Sequence, residues 1–564
     1  MGGASTRGRR FPKSAHHHEE SRDTISRMSQ PGVGVKDEPR LHGRNSRWLR
    51  CVIPVGCAIV TSLVGRFAAA RLGLGPIDDA YISLRYASHW ATGSGLCFNL
   101  GERVEGYTNF LLVALEAAAI RLGVDPETAM SLLGWASLGA IAAVLFIFMD
   151  RLVLPSRPLG AAVLAVAGSL NLALVSWAAS GMETCLYAAL LLASVLASIS
   201  ARRSERTYGA ALLLVGAAMT RPEAVVMAPA LAWFVYRCQR RVIDVVRFGL
   251  SFAAAYSVYF VARWLYFGFL FPNTFYAKLD YGSLALMRRG LAYVGEFVVA
   301  APLLIFLLLV AMVLLRRSPE WVRACVTMVA IIFVVVVYEG GDHFAMFRFL
   351  APTLPFLVLL SMYPLTLLVA RLQSDTVKDL SLVIVGLIVL VVSGVWIGRP
   401  VHKDGLGMAQ QQRFAFETTL ADEWSQMGRW LQDAAEQGSS LSTIAIGAIG
   451  FHSGLTIVDP HGIVDPSIAH LDVDLGRGYG GHEKFDVNRV LAHPPSYFIL
   501  QNRLTERPVP PAVLPRWMWG SFNKLILRQP EFIRTYRYHA IEISPHQFMS
   551  LHVRGDLPMP RGRP

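Results

Sequence analysis

Charge is scarce in this chain. Only 16% of its 564 residues are Asp, Glu, Lys or Arg, while 53% are hydrophobic. An ordinary soluble domain carries about 25% charged residues. The deficit excludes a wholly soluble protein and places much of the chain in hydrocarbon. Cysteine is scarce too. Five of the six (Cys51, Cys57, Cys185, Cys238, Cys325) lie in or at the ends of apolar runs, and Cys97 stands alone in a loop. No disulfide framework or zinc-ligand spacing results. The absence of an internal repeat removes support for an inverted-repeat transporter. A cleavable signal peptide is not expected either, because the first apolar run starts near Trp48 behind a polar tail.

What the chain has instead is long apolar runs. LIFLLLVAMVLL ends at Leu315, VTMVAIIFVVVVY covers 326–338, and LSLVIVGLIVLVVSGVWI covers 380–397. A membrane-crossing helix needs about 20 such residues. Length and hydropathy predict about eleven spans. They lie near 49–70, 126–149, 158–177, 182–200, 207–220, 222–238, 246–267, 291–315, 321–338, 351–370 and 380–398. The pieces 207–220 and 222–238, parted by Thr-Arg-Pro, read as two short spans or one broken helix. The stretch 107–122, which carries Glu116, is too short to span comfortably and reads as an amphipathic helix on the membrane surface. Residues 1–47, with His16, His17 and His18 in a row, read as a disordered cytoplasmic tail.

The net charge of +13 would favour nucleic acid in a soluble protein. Here the Lys and Arg residues cluster in short loops: Arg151 to Arg157, Arg202 to Arg206, Arg237 to Arg241, Arg316 to Arg323 and Arg371 to Lys378. Eleven alternating spans put all of them, and the N-terminal tail, on one side. That is the positive-inside pattern, so the side is the cytoplasm and no nucleic-acid partner is expected. The opposite face receives 71–125, the tops of several hairpins and everything after about 399. In 399–564, a helix-like stretch near 412–436 and short apolar runs at 443–449 and 496–500 predict a small extracytoplasmic α/β domain.

The polar residues gather on that outer face. Asp78 and Asp79 follow the first span, and Arg85 follows them. Two adjacent carboxylates there read either as favourable charges at a helix N-terminus or as an acid/base or metal-binding pair facing water. The loop continues through Glu102, Glu105, Tyr107 and Asn109 among glycines and aromatics, a composition suited to gripping a polar ligand. Further segments add Glu183, then Arg221 with Glu223, then Asn273, Tyr276 and Lys278, then Asp342, His343 and Arg348. Ionisable residues at a membrane boundary mark function, and an arginine fork suits an oxyanion or phosphate. Internal ion pairing, such as Arg221 with Glu223 or Glu183, is the competing reading. His452, Asp465, His482 and Glu483 are polar candidates in the outer domain, with a scattered surface as the alternative.

The strings DDAYISLRYA, FNLGERVEGYTN, SGMET, TRPE, FPNTFYAK and GGDHFAMFRFLAPTLP carry a family resemblance. Over about 70–360 the chain resembles the GT-C membrane glycosyltransferases, and within them the mycobacterial terminal arabinofuranosyltransferase family. GIVDPSIAH (462–470) and GHEK (481–484) extend the resemblance loosely into the outer domain. The resemblance implies a polyprenyl-phosphate-linked sugar as donor and an envelope glycan, lipid or protein as acceptor. It implies that Asp78 or Asp79 is the general base. It also implies that basic residues hold the leaving phosphate, with Arg348, Lys278, Arg221 and His343 as candidates. No cofactor is expected, with a divalent cation at Asp78/Asp79 left open. Two other readings stay open: a flippase for a lipid-linked saccharide, and a non-catalytic envelope assembly protein.

Overall fold

The computed structural model describes residues 44–155, 157–200, 204–278, 283–370, 372, 374–400, 408–476, 480–509 and 520–560, with Gly2. The expected tail at 1–47 lies almost wholly outside these residues. The account below concerns the compact unit Val52–Pro564.

All eleven apolar stretches are helical. The helices are α1 (Arg44–Leu72), α2 (Asp78–Ala91), α3 (Phe110–Arg121), α4 (Pro126–Phe148), α5 (Pro158–Ser169), α6 (Leu172–Ala179), α7 (Thr184–Ile199), α8 (Ser204–Thr220), α9 (Ala228–Gln239), α10 (Val242–Phe267), α11 (Asn273–Lys278), α12 (Leu284–Ala300), α13 (Pro302–Val313), α14 (Glu320–Glu339), α15 (Leu354–Val369) and α16 (Asp375–Trp396). Among the described residues six helices are long and apolar enough to cross a membrane, or eight if each of two bent pairs is one span. The count of eleven assumed straight helices. Instead, α5 and α6 meet at 64° and α12 and α13 at 99°. The second bend falls at Pro302, which can open a helix but cannot donate within one. Likewise Pro222 turns the expected span at 222–238 into a 3-10 turn, Pro222–Met227, followed by the short α9.

The surface placement expected for 107–122 needs correction. Helix α3 packs against α2, α4 and α8, and Glu116 is fully buried. Its sequence, FLLVALEAAAIR, is apolar on every side, so no face prefers water. Burial, with Glu183 adding like charge, raises the Glu116 carboxyl well above its ordinary value.

The domain expected on the outer face begins with α17 (Gln410–Ala434) and continues through β1 (Ser440–Thr443), α18 (Ala448–Ser453), β2 (Thr456–Val458), β3 (Tyr497–Ile499), β4 (Tyr536–Ser544) and β5 (Gln547–Arg554). These form one mixed sheet in the order β2-β1-β3-β5-β4. The pairs β1–β2 and β1–β3 are parallel, and β5 is antiparallel to both β3 and β4. The apolar run at 443–449 is not a strand. It leaves β1 and enters α18.

The first outer loop joins this domain to the helices through buried polar bonds. Both Asp78 oxygens accept backbone N–H groups, from Gly447 at 3.1 Å and Ala448 at 2.7 Å. A Cβ on Gly447 would lie 2.0 Å from the Asp78 carbonyl oxygen, so only glycine fits that approach. Arg85 is 4% exposed and donates to the carbonyls of Phe98 (2.8 Å), Leu455 (2.7 Å) and Gly450. Asn99 exchanges two 2.9 Å bonds with the Ile457 backbone, extending the β2 edge. A buried charge is tolerated only when its donors are satisfied, and Arg85 meets that condition.

Candidate active site

A cavity of about 740 Å³ opens where α2, the Pro222 turn, α11 and α14 meet the loop before α15. Its polar end holds Asp79, Lys278, Asp342, His343 and Arg348. Its lining also includes the apolar side chains of Val226, Val334 and Val335, with Tyr338 and Glu339 beside them.

Asp79 occupies the first turn of α2, where the helix dipole favours a carboxylate. Its Oδ2 lies 3.5 Å from Arg348 Nη1. Burial alone would raise its carboxyl, but Lys278 and Arg348 outweigh burial and hold it below the ordinary value. Asp78, one residue earlier, turns away toward Gly447 and Ala448. Burial pushes its carboxyl up to about 7. The two adjacent aspartates therefore occupy different environments, which divides the pair that the sequence left undivided.

Arg348 is 7% exposed and its Nε lies 2.6 Å from Asp342 Oδ2, a close charge contact. Its guanidinium covers the Phe344 and Phe349 rings, each at 4.9 Å. The Arg221 guanidinium also lies over Phe349, at 4.4 Å, so one ring meets two cations. Arg221 is committed elsewhere: it pairs with Glu183 at 3.1 Å and with Glu223. Asn109 donates to the other Glu183 oxygen at 3.1 Å and accepts from Ser83. The internal ion pair weighed in the sequence is thus present, although Arg221, Glu183, Glu223 and Asn109 all line the cavity. Lys278 lines it as well, and among the described residues no carboxylate pairs with it. His343 is a different kind of group from the lysine. Burial pushes its imidazole down to about 3, so it enters the cavity neutral and without a cation's charge.

Other sequence candidates build walls and do not reach the cavity. Arg85 is bonded as described above. Glu102 is exposed and accepts from Asn99 at 3.1 Å. Glu105 is buried and ion-paired with Arg263. Asn273 donates to the carbonyls of Gly462 (2.7 Å) and Ile463 (3.0 Å). Tyr276 stacks on His470 at 4.2 Å. Tyr107 does line the cavity, and its buried hydroxyl has no partner among the described residues. In the outer domain, His452 lies against Tyr81 and Glu127, Asp465 caps a short helix, and Glu483 pairs with Arg289. They do not converge. His482 is the exception, its ring 5.8 Å from that of His343.

Several neighbours were not among the site residues expected from the sequence. Arg289 and the backbone of Gly480 and Gly481 line the cavity. Arg413 donates to the His343 carbonyl at 2.5 Å. Glu417, one turn further along α17, has its carboxyl pushed up to about 7 by burial, with Arg413 opposing and Asp79 and Asp342 adding to it. These residues sit far along the chain from Asp79: the packing of α12 brings Arg289 near, and the docking of the C-terminal domain brings the others.

The residues do not fit a divalent ion held between Asp78 and Asp79. Both Asp78 oxygens are taken by amides, and Asp79 already faces Arg348. Among the described residues no group of three His, Cys, Asp or Glu side chains is placed to hold a metal.

Comparison with known proteins agrees with this architecture. Residues 409–547 match a family model described as a domain of unknown function (DUF8728). No curated protein matches the chain in sequence. Among solved structures, ArnT from Cupriavidus metallidurans bound to undecaprenyl phosphate aligns with a TM-score of 0.52 at 12% identity, covering 92% of this chain and 100% of that one. Its apo form aligns with a TM-score of 0.49 at 13% identity, over 74% and 86% of the two chains. The Archaeoglobus fulgidus oligosaccharyltransferase in its apo form gives 0.43 at 10% identity, over 76% and 66%. The first likeness shows the fold: the chain shares the architecture of that ArnT structure.

Proposed function

We propose that this GT-C-fold membrane protein is a glycosyltransferase that moves a sugar from a polyprenyl-phosphate donor to an envelope glycan, lipid or protein acceptor. The observation that carries the reading is the placement of Asp79 with Arg348 and Lys278 in one cavity whose lining also includes apolar side chains. The undecaprenyl phosphate held by ArnT supports a lipid-phosphate donor. An arabinofuranosyl donor is the first candidate, on the resemblance of the sequence strings.

The chemistry follows from the geometry. The acceptor oxygen attacks the anomeric carbon, the bond from that carbon to the phosphate oxygen breaks, and the lipid phosphate leaves. The hydroxyl proton passes to Asp79. Lys278 and Arg348 stabilise the charge that builds on the leaving phosphate. Lys278 is the stronger candidate for first contact, because Arg348 must share its fork with Asp342. Arg221 holds Glu183 and Glu223 in place and shapes the wall. With no donor bound, Asp79 is a weak base, because two cations depress its pKa. A bound phosphate neutralises those cations and raises the basicity of Asp79. The base is thereby strengthened only when the donor is in place.

The test is transfer by purified protein from a panel of radiolabelled polyprenyl-phosphate sugars, pentosyl and hexosyl, to envelope acceptors. We expect transfer from one donor class. No transfer from any donor overturns the reading.

The same reading puts the cavity and the outer domain on the extracytoplasmic side, with the clustered basic loops on the cytoplasmic one. In a background lacking the native Cys51 and Cys238, a membrane-impermeant thiol reagent should label Leu100→Cys and Asp472→Cys in intact cells. It should not label Arg317→Cys. Labelling of Arg317→Cys alone inverts the topology.

A further inference from the structure

The loop carrying Asp342, His343 and Arg348 has an unusual backbone. Met346 and Phe347 take φ of 60° and 53°, the left-handed region that residues other than glycine avoid. Consecutive side-chain-bearing residues stay there only when their surroundings over-determine it. Three bonds from outside the loop do so. Trp177 Nε1 donates to the Met346 carbonyl at 2.8 Å. The Met346 N–H donates to Gln410 Oε1 at 2.9 Å. Arg413 donates to the His343 carbonyl at 2.5 Å. Two of the three come from α17, in the segment that matches the domain of unknown function.

The arrangement on α17 is a built face. Gln410, Arg413, Phe414 and Glu417 recur at helical spacing and so share one side. Phe414 is 1% exposed and packs edge-on against Trp177 at 5.3 Å. The helix is anchored further along by Thr418, which bonds to the Gly75 backbone at 3.0 Å. Gln410 is itself buried, and its side-chain oxygen accepts from the loop.

We propose that α17 is part of the donor site, with Gln410 and Arg413 as positioning residues that hold the 342–348 loop in its left-handed turn and so aim Arg348 into the cavity. What Arg348 meets there rests on the donor reading above. The hold on the loop does not. An outer domain with no assigned role thus acquires one: without it, the arginine that faces Asp79 loses its fixed backbone.

The test exploits the direction of the Gln410 bond. A backbone N–H needs an acceptor, so Gln410→Glu keeps the bond and Gln410→Met, of similar shape, loses it. Amide hydrogen exchange of the full-length protein, without added lipid, should show the Met346 amide exchanging about 10-fold faster in Gln410→Met, with Gln410→Glu close to wild type. Binding of undecaprenyl phosphate should weaken about 10-fold in Gln410→Met and within about 3-fold of wild type in Gln410→Glu. Unchanged exchange at Met346 in Gln410→Met overturns the proposal. So does an equal loss in both variants, since shape alone would then explain it. If Gln410→Met does not fold, Arg413→Lys and Arg413→Met decide on the same readouts, lysine keeping a donor for the His343 carbonyl. Wild type that fails to bind undecaprenyl phosphate removes the donor reading, while the exchange arm still decides the hold on the loop.

Discussion

Asp79→Asn should lower the rate of sugar transfer by about 1,000-fold, the middle of the range that a positioned general base supplies. The amide keeps the size of the side chain but cannot take the acceptor's proton. Asp78→Asn should behave differently. Its carboxylate accepts two backbone N–H groups at the start of α18. An asparagine keeps one acceptor oxygen and turns an N–H₂ toward the other amide, which costs about 1–3 kcal/mol. The expected result for Asp78→Asn is therefore a lower unfolding temperature with substantial transfer in the folded fraction. Transfer assays and thermal unfolding of the two variants separate the roles. Wild-type turnover in Asp79→Asn would remove it as the base. The pH dependence has a definite sign. The folded pKa of Asp79 is lowered. Its ionised form therefore contributes stability above the unfolded value, and that contribution is lost as pH falls through the folded value. In the donor-free protein Asp79 stays ionised through the neutral range, so it supplies no limb to the pH profile of kcat/KM there.

Arg348→Gln should raise the donor KM about 100-fold and leave the acceptor KM near wild type. Two charge-assisted hydrogen bonds to a phosphate, at about 1.5 kcal/mol each, give that factor. Glutamine is the better probe than alanine because it retains bulk between the Phe344 and Phe349 rings. Some loss of stability is expected as well, since Asp342 and Asp79 lose a shared cation in a buried setting. An unchanged donor KM in a folded variant would exclude Arg348 from phosphate binding. Steady-state kinetics with donor and acceptor varied separately make the measurement.

Much of the site could be read from the chain because its physics is local. Lys278, Asp342 and Arg348 are ionisable residues beside apolar runs, and hydrocarbon makes such residues costly wherever they occur. Asp79 at the head of α2 follows the same logic. Local reasoning could not say which of these groups were free. Arg85, Glu105 and Asn273 looked like ligand-binding residues and are occupied by Gly450 and Leu455, by Arg263, and by Gly462 and Ile463. Their partners lie 158 or more residues away along the chain. His343 looked basic in sequence and is neutral in its buried site.

The aspartate pair divides along the same line. The sequence by itself determined the membrane class and the gathering of polar residues in the segments between apolar runs, because hydropathy and the cost of charge in hydrocarbon act over short stretches of chain. Only the tertiary structure decided that Asp78 binds the outer domain while Asp79 faces Arg348. It also decided that the expected span at 291–315 bends at Pro302, and that Gln410 and Arg413 reach the loop before Arg348. Those outcomes depend on which groups compete for each buried donor and acceptor, and the competitors meet only once distant segments have packed.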